Sequence, residues 1–124
     1  MTGYTDVLGA EELADGAMTK VEARGATLLL ARVGDSFYAA QSRCPHVGGN
    51  LARGTLEGTI VQCPLHGSRF DLTDGSVVRW TEFTGAVQAV AEALRHPRPL
   101  RVYEILVEGG RVLVGPEKAL PGAG

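Results

Sequence analysis

The chain has 124 residues, with 12 basic and 14 acidic side chains and a formal net charge of −2. That is one ordinary domain, too short for a carrier domain plus a separate catalytic domain. The basic residues are scattered along the chain, which excludes the clustered cationic face of a nucleic-acid binder, and the longest apolar stretch, Ala26 to Ala31, is far too short to span a bilayer.

Slight acidity suits solubility and weak steering toward a basic partner. Met1 to Ala10 contains Asp6 and lacks a basic region followed by an apolar core, so no signal peptide is expected. The two cysteines then sit in a reducing, cytoplasmic setting, where they are more often reduced or metal-bound than bridged. Seventeen glycines and six prolines imply many tight turns, and with few aromatics the core must rest mainly on Val, Leu and Ala.

In chain order, Tyr4 to Leu8 reads as a short strand and Ala10 to Asp15 as a polar connection or single helical turn. Thr19–Ala23 and Thr27–Val33 are two strands around the turn Arg24-Gly25; the second is nearly continuous in Leu, as a strand buried on both faces is. Gly34-Asp35 turns the chain into Ser36–Ala40. Two segments bearing glycine and proline follow, 44–54 and 63–68, with a hairpin around Gly58 between them. Arg69–Leu72 and Ser76–Trp80 flank the turn Asp74-Gly75. Leu100–Val107 and Arg111–Val114 form a last hairpin across Gly109-Gly110, and residues 116–124 form a tail, loose from Leu120 onward. Short strands separated by glycine turns favour an antiparallel sandwich or barrel.

One segment breaks that rhythm. Within 82–96, Thr84 to Arg95 carries Val87, Val90, Ala91 and Leu94 at helical spacing, with Thr84 as N-cap, and His96-Pro97 ends it.

The chemistry lies in Cys44-Pro45-His46 and Cys63-Pro64-Leu65-His66, separated by the sixteen residues Val47 to Gln62. Each segment offers one thiolate and one imidazole, and a hairpin between them would carry both to one end of a sheet. Two cysteines and two histidines suit structural zinc, which usually takes a Cys pair followed by a His pair. The order here, Cys-His then Cys-His, also lets the cysteines bind one metal ion and the histidines another, as a mixed-ligand [2Fe–2S] centre requires.

The lines C-P-H-V-G-G and C-P-L-H-G-S-R-F-D, at this separation, strongly resemble the two cluster loops of the Rieske family, and the resemblance runs from about Tyr4 to Val114. It implies a single domain over residues 1–124: an all-β, three-layer antiparallel sandwich with a cluster-binding subdomain and one inserted α-helix at about 84–95. It implies one [2Fe–2S] cluster per chain, with Cys44 and Cys63 on an inner iron and His46 and His66 on an outer one near the surface. Replacing two thiolates by neutral imidazoles makes the centre easier to reduce, and such centres lie at roughly −150 to +300 mV.

High-potential members of that family tie the loops with a disulfide at positions that here are Gly49 and Leu65, so the bridge is impossible and a low-potential, ferredoxin-like member is expected. Ser68 matches a cluster-tuning serine, or else only caps its own loop; Phe70 stands where a tuning tyrosine would be. Gly48, Gly49, Gly54 and Gly67 read as conformational residues. With three histidines in all and two committed, only His96 remains, so no mononuclear catalytic iron can be built and the chain is expected to be a carrier rather than an enzyme.

The resemblance implies transfer of one electron from an NAD(P)H-dependent flavin reductase to a terminal non-haem iron oxygenase, by transient docking around His46 and His66. Two rivals stand beside it: the small subunit of an assimilatory nitrite reductase, and a zinc-stabilised structural module. The helix is either an ornament packed on the β core or a wall at the cluster end.

Overall fold

In the computed structural model the described residues are 3–45, 49–64, 67–79 and 99–118. Among them ten strands run in chain order: β1 Thr5–Gly9, β2 Met18–Ala23, β3 Ala26–Val33, β4 Ser36–Gln41, β5 Thr55–Glu57, β6 Ile60–Gln62, β7 Arg69–Asp71, β8 Val77–Arg79, β9 Val102–Glu108 and β10 Arg111–Glu117. Helical structure among the described residues is confined to two 3₁₀ turns, Ala10–Glu12 and Leu51–Arg53. The expected helix at 84–95 lies outside the described residues, as do Trp80, His96 and residues 119–124.

The strands pair, all antiparallel, into a six-stranded sheet of order β1-β10-β9-β4-β3-β2 and a four-stranded sheet of order β5-β6-β7-β8. The expected three layers therefore come from two hydrogen-bonded sheets. β1 and β2 stand at opposite ends of the six-strand order, yet they touch, so the long sheet curls on itself and supplies two layers. Val21 of β2, Leu28 and Leu30 of β3, and Val112 and Val114 of β10 share one buried cluster inside that curl.

The leucine run explains the second core. Side chains alternate across a strand, so Leu28 and Leu30 face the curl while Leu29 and Ala31 face the smaller sheet, and all four are buried. There they meet Val61, Phe70, Leu72, Leu100 and Val102, with Phe70 wholly buried. Truncating such a phenylalanine to alanine typically costs about 3–5 kcal/mol. Arg32 ties the first turn to the sheet: its guanidinium donates to the carbonyls of Ala10 and Leu13 at 3.1 and 2.9 Å and lies 5.3 Å from the centroid of the Phe37 ring.

β10 continues to Glu117, three residues beyond the expected Val114, so the tail begins later than residue 116. The register shifts between Val114 and Glu117, a bulge that accommodates Pro116 without breaking the ladder, and the Lys118 N–H donates to Val102 at 2.8 Å. Gly115 lies under the Tyr4 ring, where a Cβ would come within 2.5 Å of ring carbon.

Candidate metal centre

Two loops leave the sheets at the same end of the molecule, and they are built alike. In the first, Arg43 and Asn50 form an isolated antiparallel bridge that opens into residues 44–49, and the Cys44 N–H donates to the Gly49 carbonyl at 2.8 Å. In the second, Gln62 of β6 pairs with Arg69 of β7, the chain opens into residues 63–68, and the Cys63 N–H donates to the Ser68 carbonyl at 2.8 Å. Each loop thus spans six residues, starts with cysteine and proline, and is closed from its first N–H to its last carbonyl.

Both thiols enter one apolar cluster. Cys44 is 2% exposed and Cys63 is 1% exposed, and they share it with Leu51, Val61, Phe70, Leu72 and Leu100. They do not bridge to each other. Ser68 is wholly buried, the one buried polar side chain among the described residues. The structure therefore brings together the two cysteines and Ser68 of the expected site. His46, Val47, Gly48, Leu65 and His66 lie outside the described residues.

Three supports of the loops were not foreseen. The 3₁₀ turn Leu51–Arg53 follows the first loop, capped by the Asn50 side chain, which accepts from the Ala52 N–H at 3.2 Å; it seats the fully buried Leu51 beside the thiols. The only sequence cue was an asparagine ahead of Leu-Ala-Arg, a cap residue before too short a run to show a period. Next, Gly54 passes so close to β6 that a Cβ would fall 1.9 Å from the Gln62 carbonyl oxygen. That contact holds the exit of one loop against the entrance of the other.

The third support is Pro99–Arg101. Leu100 is fully buried in the thiol cluster, and its N–H donates to the Gly75 carbonyl at 2.8 Å. Gly75 has φ +80°, and a Cβ there would lie 1.9 Å from the Leu100 carbonyl oxygen, so only glycine fits. Gln41 grips the same segment: its N–H donates to the Arg101 carbonyl at 2.9 Å, and its Oε1 accepts the Arg101 N–H at 2.8 Å.

Nearby electrostatics favour fixed charge states. The backbone N–H and hydroxyl of Ser76 hold the Asp74 carboxyl below the usual carboxylate range. Burial, then the Glu117 charge, pushes the Tyr103 hydroxyl above its ordinary value, so it stays protonated near neutrality.

A Rieske [2Fe–2S] domain model matches residues 3–96. The chain belongs to the Rieske [2Fe–2S] domain family. Ferredoxin CarAc of Metapseudomonas resinovorans is 33% identical over 116 residues, covering 93% of this chain and 95% of that protein. The ferredoxin component of biphenyl 2,3-dioxygenase of Rhodococcus jostii (strain RHA1) is 32% identical over 110 residues, covering 89% of this chain and 90% of the relative. Among solved structures, a chain in the complex of reduced oxygenase and oxidized ferredoxin in carbazole 1,9a-dioxygenase aligns with a TM-score of 0.75 at 31% identity, covering 97% of this chain and 99% of that one.

A Rieske chain carries one [2Fe–2S] cluster, and the described residues fit it. Two thiols buried in one apolar cluster, each at the head of an identically closed loop, match the sulfur half of a mixed-ligand site. A cysteine buried for packing alone behaves as a small hydrophobe. That bland role does not call for two such residues to open matching loops at one end of the fold.

Proposed function

We propose that this chain is the ferredoxin component of an oxygenase system, a one-electron carrier between an NAD(P)H-dependent flavin reductase and a terminal non-haem iron oxygenase. The observation that carries the reading is the paired-loop arrangement that buries Cys44 and Cys63 together. The near-full-length relatives are ferredoxin components, and one structural neighbour comes from an oxygenase–ferredoxin complex. They favour this role over the nitrite reductase small subunit, and the family favours it over a zinc-stabilised module.

When bound, the cluster accepts and releases one electron. The chain's residues do the rest. Cys44 and Cys63 hold one iron from inside the apolar cluster, where water is excluded and charge is costly. His46 and His66 hold the other; in the six-residue loops they fall third and fourth from the start, past the buried cysteines. A partner meets the chain around those imidazoles through a small, transient interface. Ser68, wholly buried at the end of the second loop, tunes the potential by favouring the electron-rich state. No helix among the described residues is long and apolar enough to cross a membrane; we place the carrier in the cytoplasm.

The test is reconstituted electron flow. Purified chain, NADH, the flavin reductase of a carbazole dioxygenase system and cytochrome c as final acceptor should give cytochrome reduction that rises with the amount of chain added. A red-brown chain that no flavin reductase reduces, but that is required for nitrite reduction in its host, would overturn the proposal.

A further inference from the structure

We infer that the groove flanking the first cluster loop is a docking surface for the carboxylate-bearing face of a redox-partner protein. The inference rests on the electron-carrier reading and names the chemistry of the partner.

The groove, of about 640 Å³, runs between the start of β3, the end of β4 and Pro99–Arg101. Tyr103 and Pro99 contribute apolar surface to it, and Arg43 and Arg101 are its charged residues among the described lining. Its described lining contains no carboxylate. A second cavity of about 200 Å³ shares Thr27, Ser42 and Arg43 with the first and adds Lys20, again with no carboxylate in its described lining. Lys20, Arg43 and Arg101 are all exposed. Two acids border it: Glu22 accepts a hydrogen bond from the Thr27 hydroxyl, and Glu117 pairs with Tyr103 across β9 and β10. The described lining of this continuous surface thus gathers three cations and no carboxylate, in a chain whose net charge is −2.

Its position gives the charge a use. Pro45, the residue after Cys44, lines the groove, so a protein seated there lies against the first cluster loop. The opposite end of the long sheet is different: there Arg111 pairs with Asp6 at 2.8 Å and Glu12 at 3.7 Å, and Arg32 with Asp35 at 3.7 Å. Arg111 and Arg32 face carboxylates at the far end, whereas Lys20, Arg43 and Arg101 gather beside the first loop, which steers an acidic partner toward the redox end. The whole-chain charge pointed to a basic partner; the local surface points the other way.

The probe is cytochrome b5, a small acidic electron-transfer protein, with basic cytochrome c as its mirror. Two readouts are taken at low and high ionic strength: the Kd between both oxidised proteins, from NMR shifts, and the rate at which dithionite-reduced chain reduces the cytochrome. Cytochrome b5 should bind and react more weakly as salt rises. Arg101→Glu should slow its reduction by about tenfold at low salt and weaken the Kd in step. Arg111→Glu, with the same change in net charge at the far end, should slow it by no more than about twofold, because the interaction falls off with distance from the docked partner. If Arg101→Glu loses the visible spectrum, Arg101→Gln carries the comparison. Wild-type rate and Kd in a red-brown Arg101 variant would overturn the docking surface and leave the carrier reading standing. A colourless wild-type protein would overturn both.

Discussion

The two cluster loops share a length, a Cys-Pro start and a closing hydrogen bond, yet they are anchored differently. The second grows directly out of a ladder, with Gln62 and Arg69 paired in strands and the Arg69 Nε donating to Gln62 Oε1 at 2.7 Å. The first hangs on a single isolated bridge, Arg43 to Asn50, and borrows its rigidity from the capped 3₁₀ turn and the close pass of Gly54 over β6. The second loop ends in the buried Ser68 where the first ends in Gly49. One frame is thus used twice, with local secondary structure holding one copy and tertiary contact the other.

The largest expected effect breaks the shared feature. Cys44→Ala and Cys63→Ala should each reduce bound iron and visible absorbance to background, because either change removes a thiolate from a four-ligand site. Iron analysis checks this, and a variant that kept its cluster would show that the loops are not equivalent.

Gly54→Ala tests the asymmetry of anchoring. Its Cβ would collide with the Gln62 carbonyl oxygen, and relieving such overpacking costs about 1–3 kcal/mol. The thermal midpoint of the loaded protein should fall, with the first loop loosening ahead of the second. Hydrogen exchange at the Cys44 and Cys63 amides, which close the two loops, reads that order.

A smaller change sharpens the difference between the loop ends. Ser68→Ala should lower the reduction potential by on the order of tens of millivolts, on a scale of about 59 mV per tenfold in a one-electron couple. Redox titration followed by circular dichroism measures it. An unchanged potential would leave Ser68 as a loop cap only.

The smallest effect belongs to the far end of the long sheet. The Arg111 guanidinium holds the Asp6 carboxyl below its ordinary range, and both groups are exposed. A lowered folded pKa gives stability that is present above the unfolded value and lost as pH falls through the folded one. Asp6→Asn should therefore shift the thermal midpoint slightly at pH 7, the difference vanishing in acid below the usual carboxylate range, while the visible spectrum stays the same.

Much of this was legible in the residues. The glycine turns at 25, 34, 58, 75 and 109–110 and the leucine run at 28–30 located the hairpins and the doubly buried strand, because turn chemistry and alternation are local properties. The paired Cys-Pro lines pointed to the candidate site, and Cys44 and Cys63 share one buried cluster. Its internal likeness was hidden because the histidines differ in spacing by one residue, so equal loop lengths show only in the hydrogen bonds that close them. Gly115-Pro116 looked like the end of a strand; the Tyr4 ring and a bulge carry β10 through it. The basic groove was invisible for a similar reason. Lys20, Arg43 and Arg101 are far apart in the chain and meet only when β2, β3, β4 and the segment before β9 assemble.

The central claim is a mixed-ligand cluster held by both loops. The most direct measurement is metal content with EPR of the dithionite-reduced protein, extended to nitrogen couplings. The account predicts two irons and two acid-labile sulfides per chain, a rhombic signal, and couplings from two imidazole nitrogens that disappear on His46→Ala or His66→Ala. One zinc per colourless chain, or a cluster whose nitrogen couplings survive the loss of both histidines, would contradict it.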